Sequence, residues 1–151
     1  VTAMPSGGHQ GVAGRLFVEL AIWCRAHARW RRLSPGGVYI TQTTWLEPDI
    51  AIYPSPEFDD MPWQDMPPPL LVVEVLSKST AKLDRHRKRA AYLAHGLREV
   101  WLVNYEVCTI KRWTSASEFP EVFRGGITWT LDAALPSCVV TDAEVFGPVK
   151  E

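Results

Sequence analysis

Cysteine is scarce in this chain of 151 residues: Cys24, Cys108 and Cys138 lie far apart, and none belongs to a CxxC pair. That excludes a disulfide framework and the common zinc-site spacings, and it predicts reduced thiols of the cytosolic kind. No apolar run approaches the roughly 18 residues of a membrane helix. Nor does a basic segment followed by an apolar one open the chain, so neither a span nor an export signal is predicted and the expected location is cytoplasmic. Charge of one sign is not in excess either. The 16 Lys+Arg stand against 17 Asp+Glu for a net charge of −1, which excludes a bulk polycation and confines any nucleic-acid contact to a local patch. Internal repeats are absent.

What is present suits one soluble domain over residues 1–151. Hydrophobic residues make up 46% and charged residues 22%, which excludes a disordered or fibrous chain, and seven Trp argue for a well-filled interior. Val12, Leu16, Leu20 and Trp23 recur at helical spacing and predict a helix from Gly11 to Trp30, broken by Pro35-Gly36-Gly37. Residues 38–45 and 49–53 read as strands, and the prolines from Pro54 to Pro69, mixed with four acids, as an exposed loop. The near-continuous apolar run from Leu70 to Leu76 predicts a central strand buried on both faces. Ser77 and Ser79 are N-cap candidates for a helix reaching His95 and ending at Gly96. Val100 to Val103 reads as a strand, Val107 to Trp113 as its hairpin partner, Ile127 to Trp129 as a weaker strand, and the tail as irregular. The sum is an α/β or α+β fold, a mixed sheet flanked by helices.

One acid interrupts the buried run. Glu74 carries a large desolvation cost unless it is protonated, paired or bound to a metal. Asp49 opens the neighbouring strand directly after Pro48, and if the strands are adjacent the two carboxylates meet at one sheet edge, where mutual repulsion is relieved by a hard divalent cation. Basic residues follow at once. Lys78, Lys82, Arg85, Arg87, Lys88 and Arg89 oppose only Asp84, and on the helix Asp84, Lys88 and Tyr92 form one stripe. Positive charge beside paired carboxylates is what metal-dependent phosphodiester hydrolysis requires.

Pro48-Asp49, 24 intervening residues and Glu74-Val75-Leu76 resemble the PD-(D/E)XK nuclease superfamily. More narrowly, the run from Pro69 to Thr80, then Asp84, Lys88, Tyr92, Gly96 and Glu99 to Val103, resembles the bacterial restriction endonuclease family called Uma-two. The likeness runs from about Met4-Pro5-Ser6 and His9 to Leu135-Pro136. It implies a restriction-endonuclease-like fold and a Mg²⁺- or Mn²⁺-dependent endonuclease acting on DNA. Asp49, Glu74 and the main-chain carbonyl of Val75 are its implied metal ligands. The superfamily's lysine position holds Leu76, and Lys88 is the matching helical position, with Lys78 and Lys82 as alternatives. Asp84, Tyr92 and His9 are implied in support, and Lys78, Lys82, Arg85 and Arg89 as the nucleic-acid surface. Relatives begin with a further strand segment before the point matched by Val1, so the chain is expected to enter within that strand. A homodimer is expected, because cutting both strands of a duplex takes two centres.

Plainer readings compete with each assignment. Asp49 can be a turn residue after Pro48, Glu74 a structural acid bridged to Arg98 or Lys88, and Lys88 the partner of Asp84. Arg25, Arg29, Arg31 and Arg32 can simply suit the end of the first helix. Trp45, Trp63 or Trp129, if at the surface, would stack bases or line an interface. An inactive binding or assembly module of the same fold, and an RNA-directed nuclease, are the alternatives to DNA cleavage.

Overall fold

Leu71–Val75, here β5, is buried at every position and has a partner strand on each side. The computed structural model describes residues 7–27, 31–34, 38–54, 60–76 and 82–148, without the side chains of 31–34 and 82–85. Within them a helix α1 (Gly7–His27) precedes β1 (Arg31–Ser34), β2 (Val38–Tyr39), β3 (Trp45–Leu46) and β4 (Ile50–Pro54). After β5 come α2 (Lys82–Ala94), β6 (Glu99–Asn104), β7 (Thr109–Thr114), β8 (Glu121–Arg124), β9 (Ile127–Trp129), β10 (Cys138–Val140) and α3 (Asp142–Phe146). Six strands form one mixed sheet in the order β1-β4-β5-β6-β7-β8. Only β5 and β6 run parallel, as a strand pair bridged by a helix must, and the other pairs are antiparallel.

Alternation along the strands divides the interior in two. Ile50, Ile52, Leu71, Val73, Val75, Trp101, Val103 and Ile110 face Val12, Leu16, Leu20 and Trp23 of α1. Ala51, Tyr53, Val72, Val100 and Leu102 face the other way, toward Tyr92 of α2, Leu97 and Val38. A mixed sheet between helices is therefore borne out, and Leu71–Val75 is the central strand its apolar run predicts. Gly96 ends the second helix in the left-handed region, at φ 98°, as a C′ glycine should.

Several boundaries differ from the sequence reading. The first helix takes in Gly7–His27, so it is already formed before Gly11, and its expected end at Trp30 lies outside the described residues; Arg31 and Arg32 belong to β1, not to its last turn. The strand expected over residues 38–45 is a hairpin, because the Thr41 hydroxyl and the Thr44 carbonyl draw the chain into a tight turn between β2 and β3. The proline-rich segment is not wholly exposed: Pro69 is buried, and Trp63 packs against Tyr53 with ring centroids 5.8 Å apart.

Within the described residues the tail is not irregular: it forms β10 and α3. Thr141 and Glu144 close a capping box on α3, and Arg15 of α1 donates to the Val145 carbonyl at 2.9 Å. β9 and β10 approach so closely that a Cβ at Gly126 would collide with the Val140 carbonyl. Trp129, a candidate surface residue, is buried against Trp23 and Trp101. Lys78, Ser77, Ser79, Arg29, Trp30 and the Met4-Pro5-Ser6 segment lie outside the described residues, as do the side chains of Lys82, Asp84 and Arg85. Among the described residues no helix is long and apolar enough to cross a membrane.

Candidate active site

The antiparallel register that pairs Ile50 with Val73 places Asp49, one step further, opposite Glu74. Opposed residues of an antiparallel pair share a face, so both acids belong to the α2 side of the sheet. At this end of the ladder the Asp49 side chain stands in for a main-chain acceptor: its Oδ2 accepts from the Val75 main-chain N–H at 2.7 Å. His9, in the first turns of α1, brings Nε2 to 3.4 Å from the same oxygen. Both of these contacts fall on Oδ2, and Oδ1 takes part in neither.

Glu74 is buried, with 8% of its surface exposed. Tyr92 donates its hydroxyl to Glu74 Oε1 at 2.8 Å, and Lys88 Nζ lies 3.8 Å from that oxygen. Lys88 and Tyr92 are one helical turn apart, so these two members of the stripe converge on Glu74, while the Asp84 side chain lies outside the described residues. Of the two partners suggested for a structural Glu74, Lys88 is present. Arg98 is not: it lines a separate cavity of about 220 Å³ at the opposite end of the sheet.

Burial, reinforced by the Glu74 and Asp49 carboxylates, pushes the Tyr92 phenol far above its ordinary range. Tyr92 thus remains a proton donor to Glu74 and is unsuited to act as a base. Arg89, expected on the nucleic-acid surface, lies over the Trp113 ring at 3.8 Å from its centroid and 3.1 Å from His86 Nδ1.

The donor set fits a small hard cation that retains water. Among the described residues no group of three or more His, Cys, Asp and Glu side chains forms a metal cluster. Mg²⁺ is commonly held by one or two carboxylates, with water and substrate phosphate completing its shell. Asp49 and Glu74, on one face of adjacent strands, provide that number.

A second buried acid received no role in the sequence reading. Glu99 at the start of β6 accepts from Trp101 Nε1 at 2.7 Å, Trp129 Nε1 at 3.1 Å and Arg112 Nε at 2.6 Å. Arg112 continues to Glu121 at 3.3 Å. These contacts make Glu99 a polar clamp between β6, β7 and β9, and Glu99 and Arg112 also line the cavity beside Arg98. The sequence signal was an acid two residues before Trp101, but its partners at 112 and 129 come from the tertiary structure alone.

Comparison with known proteins agrees with this architecture. The family Uma2, described as "Putative restriction endonuclease", matches residues 1–143. Among solved structures, a "putative nuclease belonging to DUF820" from Anabaena variabilis superposes with a TM-score of 0.74 at 16% identity, covering 95% of this chain and 83% of that one. No curated protein matches the chain.

Proposed function

The chain belongs to the Uma2 family of restriction-endonuclease type, and we propose that it is a divalent-metal-dependent endonuclease hydrolysing DNA phosphodiester bonds. The observation that carries the proposal is the meeting of Asp49 and Glu74 on one face of adjacent strands, with the Lys88 ammonium 3.8 Å from Glu74. Asp49, Glu74 and the Val75 carbonyl would hold Mg²⁺ or Mn²⁺, which when bound supplies charge neutralisation at the scissile phosphate and a more acidic water.

The chain's own groups do the rest. Lys88 is half-buried, so its ammonium presents concentrated positive charge where negative charge grows on the phosphate, and it orients the attacking water. Tyr92 and the Val75 N–H fix the rotamers of Glu74 and Asp49, leaving less to reorganise on substrate binding. His9 braces Asp49 from the α1 side.

Supercoiled plasmid incubated with Mg²⁺ or Mn²⁺ tests the reading. Nicked or linear product that EDTA abolishes, and that Asp49→Asn and Glu74→Gln both lose, supports it. Cleavage that persists in both variants overturns it.

One observation favours a second reading. Glu74 already has a tyrosine donor and a lysine beside it, an arrangement that stabilises the carboxylate without any metal. A binding module that keeps the fold but not the chemistry would show no rise in Tm with millimolar Mg²⁺ or Mn²⁺.

A further inference from the structure

Trp45 keeps 48% of its surface in water while its indole stacks on Tyr39 across the β2–β3 hairpin, with ring centroids 6.2 Å apart and planes inclined by 20°. The other side of that hairpin is anchored. Val38 and Leu46 pair with each other and, with Ile40, pack into the cluster that contains Tyr92 and Leu102. The hairpin therefore lies on the same sheet face as α2 and the two carboxylates. Its tip is held in shape: the N–H groups of Ile40 and Thr41 donate to the Thr44 carbonyl at 2.8 and 3.1 Å, and Thr41 Oγ1 accepts from the Thr44 N–H at 2.9 Å.

Two walls follow from this layout. Asp49 leads into β4 and Glu74 lies on β5, with the cationic helix over the β6 and β7 side, where Arg89 covers Trp113, and the aromatic hairpin over the β4 side, where Tyr53 meets Trp63. Trp45 precedes Asp49 by four residues, so their backbones are at most about 14 Å apart. At about 3.4 Å per stacked nucleotide, a strand with a phosphate at the carboxylates brings a base to Trp45 within about four steps. A base inside a duplex already has both faces stacked and has none to offer, whereas an unpaired base can stack on an indole whatever its identity.

We propose that Tyr39 and Trp45 form a stacking platform for an unpaired base of the strand held at Asp49 and Glu74, so that DNA with single-stranded character is the preferred substrate class. This rests on the nuclease reading and adds to it the form of the substrate.

The test uses the full chain carrying Glu74→Gln, which removes cleavage and one repelling carboxylate, with EDTA present. Binding of a fluorescein-labelled mixed-sequence single strand and of its duplex is followed by anisotropy. Adding Trp45→Ala should weaken single-strand binding by about 10- to 100-fold, while Trp45→Phe stays within about threefold. Duplex binding should change less than about twofold. An unchanged single-strand affinity in Trp45→Ala, an equal loss on duplex, or a parent protein that binds no single strand each overturns the platform. Plasmid cleavage by the wild type, scored separately, tells loss of the platform alone from loss of the nuclease reading beneath it.

Discussion

The main-chain N–H of Val75 donates to Asp49 Oδ2 at 2.7 Å, so the first acid of the candidate site is bonded to the strand that carries the second. Twenty-five intervening residues are thereby reduced to one hydrogen bond's separation between β5 and the residue leading into β4. It follows that neither acid is a bare charge awaiting an ion. Repulsion between them, the sequence-level expectation, is offset by Val75, His9, Tyr92 and Lys88.

Metal-free stability should therefore fall, not rise, when an acid is removed. Asp49→Ala strands the Val75 N–H and is expected to cost about 1–3 kcal/mol. Thermal unfolding in EDTA measures this. A Tm above that of the wild type would show that repulsion dominates after all.

Lys88→Met should lower plasmid cleavage by about 100-fold or more, on the scale of losing one preorganised donor to a transition state. Its metal-free Tm should move little, since the side chain is about a quarter exposed and such pairs contribute about 1 kcal/mol or less. Lys88→Arg should recover part of the rate. If Lys88→Met cuts as fast as the wild type, the catalytic lysine lies elsewhere, at Lys82 or Lys78.

Tyr92→Phe removes the hydroxyl and keeps the ring. A loss of about 1–1.5 kcal/mol in urea melts is expected, together with slower cleavage from a less fixed Glu74. Because the folded-state pKa of Tyr92 is raised above the unfolded value of about 10, its contribution is fully present below about pH 10 and fades as pH climbs beyond it. The wild-type-minus-variant difference in stability should thus be flat from about pH 7 to about pH 9.5 and shrink above that. A difference that changes near neutrality would contradict the assignment.

Glu99→Ala should be the most damaging of these changes to stability and the least specific to catalysis. It strips the acceptor from two indoles and leaves Arg112 half-paired, at an expected cost of about 3–5 kcal/mol. For a chain of this size that corresponds to a fall in Tm of roughly 6–20 °C. Differential scanning calorimetry reads it directly, and a shift of only a degree or two would mean that the clamp is dispensable.

Much of the scaffold was legible from composition and period alone. Leu71–Val75 reads as a buried strand because its short apolar run holds three β-branched valines, Val72, Val73 and Val75, and all five positions are buried. Val12, Leu16, Leu20 and Trp23 could only face one side of a helix, and Gly96 could only end one. The lone acid in the apolar run pointed to Glu74, because an unexplained charge among β-branched residues needs a partner. Short elements were less legible. β2, β3, β9, β10 and α3 span two to five residues each, too few for a period to declare itself, and long-range contacts stabilise them instead.

The sequence by itself determined the main apolar interior and that Glu74 lies charged within it, because desolvation depends on residue type and local pattern. Only the tertiary structure decided what that charge meets. Strand order and register bring Asp49 across from Glu74, while α2 lowers Lys88 and Tyr92 onto the same oxygen. Those meetings depend on loop closure and sheet pairing between distant segments, and neither leaves a periodic trace along the chain.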